Sequence, residues 1–351
     1  MIEKKIFGTL PDNREVYQYT LTNKSGCTVT IINFGAIVTS LLMPDRNGVL
    51  ENLVLNYDSL HGYVNDQCYF GAIAGRYGNR IAKGRFQLEG NQYQLSINDG
   101  TNHLHGGKTG FSKKLWEGKI LNTDSEPSLA LTLISPDQEE GYPGTVTLTV
   151  TYTLTEKNEL RIDYKGTTDR TTILNPTHHS YFNLSGSCAN TILDHELSID
   201  SDFITMVDHE LISTGESYHV HHTPLDFRTP KAVGRQINER DPQMLMGKGY
   251  DHNWILKNFD GHVRNVAQVY EPRSGRHMAV LTDQPGLQFY SGNFLGGTVR
   301  GKDGFTYQNR SGLCLEAQCP PDSPNKPEFP SVVLKENETY HQTTIYHFSI
   351  K

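Results

Sequence analysis

Along much of the chain, polar and apolar residues alternate with a period of two. From Thr145 to Leu154, Val146, Leu148, Val150, Tyr152 and Leu154 fall on one side, and Thr145, Thr147, Thr149, Thr151 and Thr153 on the other. Successive side chains of an extended backbone point to opposite faces, so this run predicts a strand with one buried face. Leu160-Arg-Ile-Asp-Tyr164 alternates in the same way, and Glu156-Lys-Asn158 between the two runs predicts a hairpin. Phe86-Gln-Leu88 and Gln92-Tyr-Gln-Leu95, joined by Glu89-Gly-Asn91, predict another. Further strands are expected at Val29–Ile32, Ala36–Leu42, Leu129–Ile134, His195–Ile199, Met278–Leu281, Leu287–Tyr290, Leu313–Ala317 and Tyr346–Ile350. Helical signals are confined to Leu60–Tyr63 and Val233–Ile237, each a turn or two. The expected fold class is all-β: a large antiparallel β-sandwich or barrel with few short helices.

Two segments need separate treatment. The uncharged run from Ser25 to Pro44 is long enough to span a bilayer, but its threonines, Asn33 and central Gly35 predict two strands with a break. Cys319–Pro330 carries prolines at 320, 321, 324, 327 and 330 and predicts a rigid, extended loop. There is no internal repeat at a solenoid or propeller period. The length of 351 residues gives about two domains as a prior. No linker rich in Gly, Ser or Pro divides the chain.

Composition narrows the partner. Lys and Arg number 32 and Asp and Glu 39, a balance of −7. That excludes a general nucleic-acid binder, which would be basic, and fits a neutral or a cationic partner. The five cysteines, 27, 68, 188, 314 and 319, are odd in number and widely spaced, which predicts reduced thiols in a cytoplasmic protein. The N-terminus lacks the apolar core of a secretory leader, and no lipidation motif or membrane association is expected.

Histidine is abundant, with 15 residues, and forms three clusters: His103-x-His105, His178-His179 and His219-x-His221-His222. The last is polar and expected on an exposed loop. A catalytic zinc would need three or four ligands with supporting carboxylates, and neither His-Glu-x-x-His nor Cys-x-x-Cys occurs, so no metal is expected. In Asn102-His-Leu-His105-Gly-Gly107 the glycines allow close approach of a ligand. Asn175-Pro-Thr-His-His179-Ser-Tyr-Phe-Asn-Leu184 mixes aromatic faces with hydrogen-bonding groups, the materials of a sugar site; Tyr181 and Phe182 serve equally well as core residues. Gly71-Ala-Ile-Ala-Gly-Arg-Tyr-Gly78 and Gly292-Asn-Phe-Leu-Gly-Gly297 lack the spacing of nucleotide loops.

These stretches, with Gly75-Arg-Tyr-Gly-Asn79-Arg80-Ile, Gly249-Tyr-Asp251-His-Asn253, Pro285-Gly-Leu-Gln288-Phe-Tyr-Ser-Gly-Asn293-Phe-Leu and Gly312-Leu-Cys-Leu-Glu316-Ala-Gln318, resemble the aldose 1-epimerase (galactose mutarotase) family. The resemblance runs in order from about Phe34 to about Tyr340. It implies one domain over residues 1–351, a galactose mutarotase-like supersandwich with a shallow open cleft, and no cofactor. It implies Glu316 as general base and His179 as general acid, with Asn79, Arg80, His105, Tyr181, Asp251 and Gln288 holding the sugar. One position departs: the family's Thr-Asn-His-x-Tyr is here Thr177-His178-His179-Ser-Tyr181. The spacing to Tyr-Phe-Asn-Leu gives the acid role to His179. On a strand, His178 and His179 face opposite sides, so only one enters the cleft. His103 stands beside His105 as a possible supporting group.

The implied reaction needs no redox step or metal. The anomeric hydroxyl loses a proton, the ring oxygen gains one, the ring opens, and it recloses on the other face. One base, one acid and clamps for the rest of the sugar suffice. For these roles Glu316 is expected ionised, favoured by Arg80 or His105, and His179 protonated. The expected substrate is a free hexose such as galactose or glucose, turned over by a monomer. The rivals are a hexose 6-phosphate epimerase, a non-catalytic sugar-binding protein on the same fold, and a metal hydrolase built on the histidine pairs. The first would need a second cationic clamp beside Arg80.

Overall fold

In the computed structural model, which describes residues 1–122, 126–186, 188, 190–297 and 299–351, antiparallel strands dominate. The largest sheet has nine strands. At its centre lie Val146–Leu154, Glu159–Thr168, Tyr340–Ile350 and Arg276–Thr282. The Thr145–Leu154 alternation does what the pattern predicts: Val146, Leu148, Val150, Tyr152 and Leu154 are fully buried. Each such side chain contributes about 1.5–3 kcal/mol of burial. Leu154 pairs with Leu160, closing the expected hairpin. The second hairpin, Arg85–Leu88 with Asn91–Gln94, turns through Glu89 and Gly90, both at positive φ.

A five-stranded N-terminal sheet contains Thr28–Ile32 and Ile37–Pro44, so the Ser25–Pro44 run is two strands with a break at Asn33–Ala36, where Gly35 has φ +66°. Among the described residues no helix is long and apolar enough to cross a membrane.

A second five-stranded sheet runs in the order Ser213–His219, Phe203–Val207, Asp251–Ile255, Gly286–Tyr290 and Cys314–Gln318. Its rear residues Trp254, Leu287, Phe289, Leu315 and Ala317 join one apolar core with Tyr152, Ile162, Val280 and Tyr346 of the large sheet. Tyr346 Oη donates to the Leu315 carbonyl at 2.8 Å, and Gln342 Nε2 to that of Ala317 at 3.0 Å. The two sheets therefore pack as layers of a sandwich, and the front face of the smaller one is left for the cleft.

Some expectations need correction. Val233–Ile237 forms only a 3₁₀ turn, Val233–Arg235, whereas Leu60–Val64 is helical as expected. A helix at Pro242–Gly247, capped by the Asp241 carboxylate on the Gln243 amide, was not anticipated. Cys319–Pro330 is not simply extended: Asp322 is left-handed and Ser323–Asn325 forms a 3₁₀ turn, with Asp322 and Ser323 buried. Pro324 lies inside that turn, and Pro320, Pro321, Pro327 and Pro330 lie on either side of it.

Candidate active site

The front face of the smaller sheet supplies the floor. Asp251 pairs with Tyr290, Asn253 with Gln288, and Gln288 with Glu316, so these side chains share one face. Glu316 is 2% exposed. Gln288 Nε2 donates to Asp251 Oδ1 at 2.7 Å.

Turns supply the walls. Thr177–His178 pairs with Ile73–Ala74, and the ladder continues as His179 N–H donates to Ala72 and the His179 carbonyl accepts from Gly71. This fixes His179 over the floor, with Nε2 3.6 Å from Glu316 Oε1. His179 Nδ1 lies 3.6 Å from Cys314 Sγ, and its ring tilts over Tyr181, with centroids 5.2 Å apart. His103–Leu104 pairs with Arg80–Ile81 and delivers His105 opposite Asn79. His105 is left-handed, with φ +50°, and its amide donates to the Asn79 carbonyl at 3.1 Å. The Asn79 amide donates to His105 Nδ1, also at 3.1 Å. Gly106, at φ +87°, permits this approach, because a Cβ there would overlap the Gly75 carbonyl oxygen. Arg80 Nε donates to Asp99 Oδ2 at 2.8 Å.

One cleft is thus lined by Asn79, Arg80, His105, His179, Tyr181, Asp251 and Glu316. Gln288 lies on the same sheet face between Asn253 and Glu316, buried, with its amide holding Asp251.

Electrostatics depart from expectation. Burial pushes the Glu316 carboxyl well above its usual range; Asp251 adds to this and Arg80 opposes it. Burial lowers His179 to about 4. The protein environment alone therefore favours both partners neutral, not an ionised Glu316 facing a protonated His179. The physical reason is dehydration, with the Arg80 cation already engaged by Asp99.

The family pattern described as Aldose 1-epimerase matches residues 17–347. The chain belongs to the aldose 1-epimerase family. Over 349 residues it is 43% identical to the galactose mutarotase of Bos taurus, covering 99% of each chain. It is 37% identical to the aldose 1-epimerase of Escherichia coli K12, covering 96% of each. In three dimensions it is similar to the galactose 1-epimerase of Lactobacillus acidophilus, with TM-score 0.88, 28% identity, and coverage of 100% of this chain and 99% of that one.

Within this aldose 1-epimerase fold the paired histidines separate as a strand requires. His178 turns to the core, between Tyr152 and Tyr346, with Nε2 2.7 Å from Ser180 Oγ. His103 is buried behind the wall, bonded to the Ser96 carbonyl and Tyr142 Oη. His219, His221 and His222 are exposed, as expected.

His105, His179 and Glu316 bring ligand atoms within 4.8 Å of one another, a spacing a metal could use. The chemistry of His105 argues against it. Its Nδ1 accepts the Asn79 amide proton, so the neutral ring carries its own proton on Nε2 and offers a donor there.

Tyr69 was missed by sequence reasoning. It lines the cleft at φ +61°, with its ring 4.6 Å from that of His105. Left-handed backbone is unusual for a bulky residue, and the only available signal was its place just before the glycine-rich Gly71–Gly78 stretch.

Proposed function

We propose that the cleft interconverts the α and β anomers of free hexoses, galactose and glucose, by acid–base ring opening and closure, making the protein an isomerase. The observation that carries this is the buried Glu316–His179 pair, 3.6 Å apart on the one cleft that also gathers Asn79, Arg80, His105, Tyr181 and Asp251. The pair holds one proton in either placement: on Glu316 with neutral His179, or on His179 facing an ionised Glu316. In the second placement Glu316 takes the anomeric hydroxyl proton while His179 gives its own to the ring oxygen. The ring opens to the aldehyde, rotates about C1–C2, and closes with the roles reversed. No net proton is taken from solvent.

The remaining residues clamp the sugar. His105 presents its Nε2 proton, the Asp251 carboxylate accepts hydroxyl protons with Gln288 holding it, and Tyr181 offers an aromatic face. Among the described residues lining the cleft, Arg80 is the one cationic side chain, and Asp99 already binds it. A phosphate dianion would lack a second clamp, which favours the free sugar over a hexose 6-phosphate. A protein that only bound sugar would not need a buried acid–base pair. Contributions from positions 79 to 316 support residues 1–351 acting as one domain, with the monomer as the working unit. The five free thiols support a cytoplasmic setting.

The test follows anomer exchange of freshly dissolved α-D-galactose and α-D-glucose by polarimetry or saturation-transfer NMR. Acceleration by the wild-type protein is expected. Failure to accelerate either sugar, or activity on a hexose 6-phosphate alone, would overturn the proposal.

A further inference from the structure

The cleft floor carries more polar atoms than the protein itself satisfies. Among the described residues, ten buried side-chain atoms have no hydrogen-bond partner within the protein. Half of them lie on neighbouring positions of one sheet face: Gln318 Nε2 and Oε1, Glu316 Oε2, Gln288 Oε1 and Asn253 Oδ1. Elsewhere in a fold such atoms are scattered and rare, because each one left unmade is costly.

The register explains the clustering. Gln288 lies between Asn253 and Glu316 across the ladder, and Gly286 pairs with Gln318. Glu316 and Gln318 are two residues apart on one strand and share its front face. Gly286 presents no side chain to Gln318, and Asn253 Oδ1 takes the place that its Cβ would fill. A Cβ on Gly78 would stand 3.5 Å from Gln318 Oε1. The Gln318 amide is therefore fully enclosed, beneath the turn that carries Asn79 and Arg80.

With Glu316 ionised, four of the five atoms are acceptors and only Gln318 Nε2 is a donor. They cannot satisfy one another, and water, which brings two protons per molecule, can. Buried polar groups that converge without protein partners are where proteins hold structural water.

We propose that Gln318 is a positioning residue for the acid–base pair, joined to Glu316 Oε2 through buried water that also serves Gln288 and Asn253. This rests on the proposed role of Glu316. Hydrogen bonds donated to Oε2 favour the ionised carboxylate, and so the proton placement from which Glu316 can act as base. They offset the dehydration of a side chain with no protein donor of its own at that oxygen.

Two experiments test this. Gln318→Leu and Gln318→Met keep the side chain's approximate bulk and remove its hydrogen bonds. The expected result is about a tenfold fall in kcat, KM within about twofold, and a pH profile displaced to higher pH by about one unit, because Glu316 becomes harder to ionise. A purely structural role would lower Tm and leave the profile in place. An undisplaced profile in folded variants overturns the proposal. Independently, a high-resolution crystal structure of the wild-type protein should show water within hydrogen-bond distance of both Glu316 Oε2 and the Gln318 amide. A dry floor, or a metal cation there, overturns it even if neither variant folds. If the wild-type protein does not accelerate anomer exchange, the functional proposal fails on its own, while the water density still decides whether the bridge exists.

Discussion

Asn79 and His105 hold each other by two reciprocal hydrogen bonds, each 3.1 Å: the His105 amide to the Asn79 carbonyl, and the Asn79 amide to His105 Nδ1. Because a backbone amide can only donate, the imidazole must accept at Nδ1. Its proton is thereby placed on Nε2. Long-range ¹⁵N–¹H correlation spectra should show His105 as the Nε2–H tautomer between pH 6 and pH 8 (about one unit either side of neutral). Replacing it by Ala should lower kcat about 10²-fold, the usual cost of one aimed donor. A variant with unchanged kcat would remove His105 from the chemistry.

Glu316→Gln and His179→Asn should each lower kcat by about 10²–10⁴-fold. The two groups share one proton, so they work as a unit. The double variant should be little worse than the poorer single one. Additive losses, measured by polarimetry under saturating sugar, would show that the two act independently.

Acid should destabilise the fold through its histidines. Burial lowers His178 to about 3, and His179, His195 and His252 to about 4, from an ordinary 6.5. Their unfolded-state values lie higher, so the unfolded chain binds more protons between these limits. The stability they contribute is complete above about pH 6.5 and is lost as the pH falls toward 4. Each contributes a slope of about 1.4 kcal/mol per pH unit in that window. Calorimetry should show Tm dropping from pH 7 to pH 5 (about two units) with protons taken up on unfolding. A flat Tm over this range would contradict it.

Gly106→Ala should be among the most damaging single-methyl additions. The residue is at φ +87°, and a Cβ would overlap the Gly75 carbonyl oxygen. A loss of about 4 kcal/mol or more, or failure to fold, is expected in denaturant titrations. Gly90→Ala provides the control: its φ is +79°, but no atom lies near its Cβ, so only the backbone cost of about 1 kcal/mol remains.

Burial decided what could be read in the sequence. Val146–Leu154 announces itself because one face is dry and the other wet. Asp251–Ile255 does not: Asp-His-Asn-Trp-Ile is polar, yet its middle three residues are buried, on both faces, so no alternation marks it. Ile2–Thr9 is missed for the opposite reason, being an edge strand exposed along most of its length. The site residues were legible only as ordered motifs. That Gln288 reaches Asp251 across the ladder, and that Gln318 faces a glycine, follow from strand register, which no local spacing encodes. Nor does spacing encode the burial that shifts the acid–base pair toward its neutral forms, because that burial depends on the walls that close over it.

The floor of the cleft is a hydrogen-bonded ladder, whereas Tyr69, Asn79 and His105 stand on left-handed turns above it. The two parts carry different kinds of information. A ladder residue cannot shift without dragging its neighbours, so the Glu316 end of the proton transfer is tied to the sheet, and His179 is tied to the wall strand that pairs with Ile73–Ala74. Turns can be lengthened or resequenced one at a time. Descendants of this scaffold can therefore change which sugar they admit while inheriting the same catalytic step, and a designer seeking a new substrate should edit the rim and leave the sheet alone.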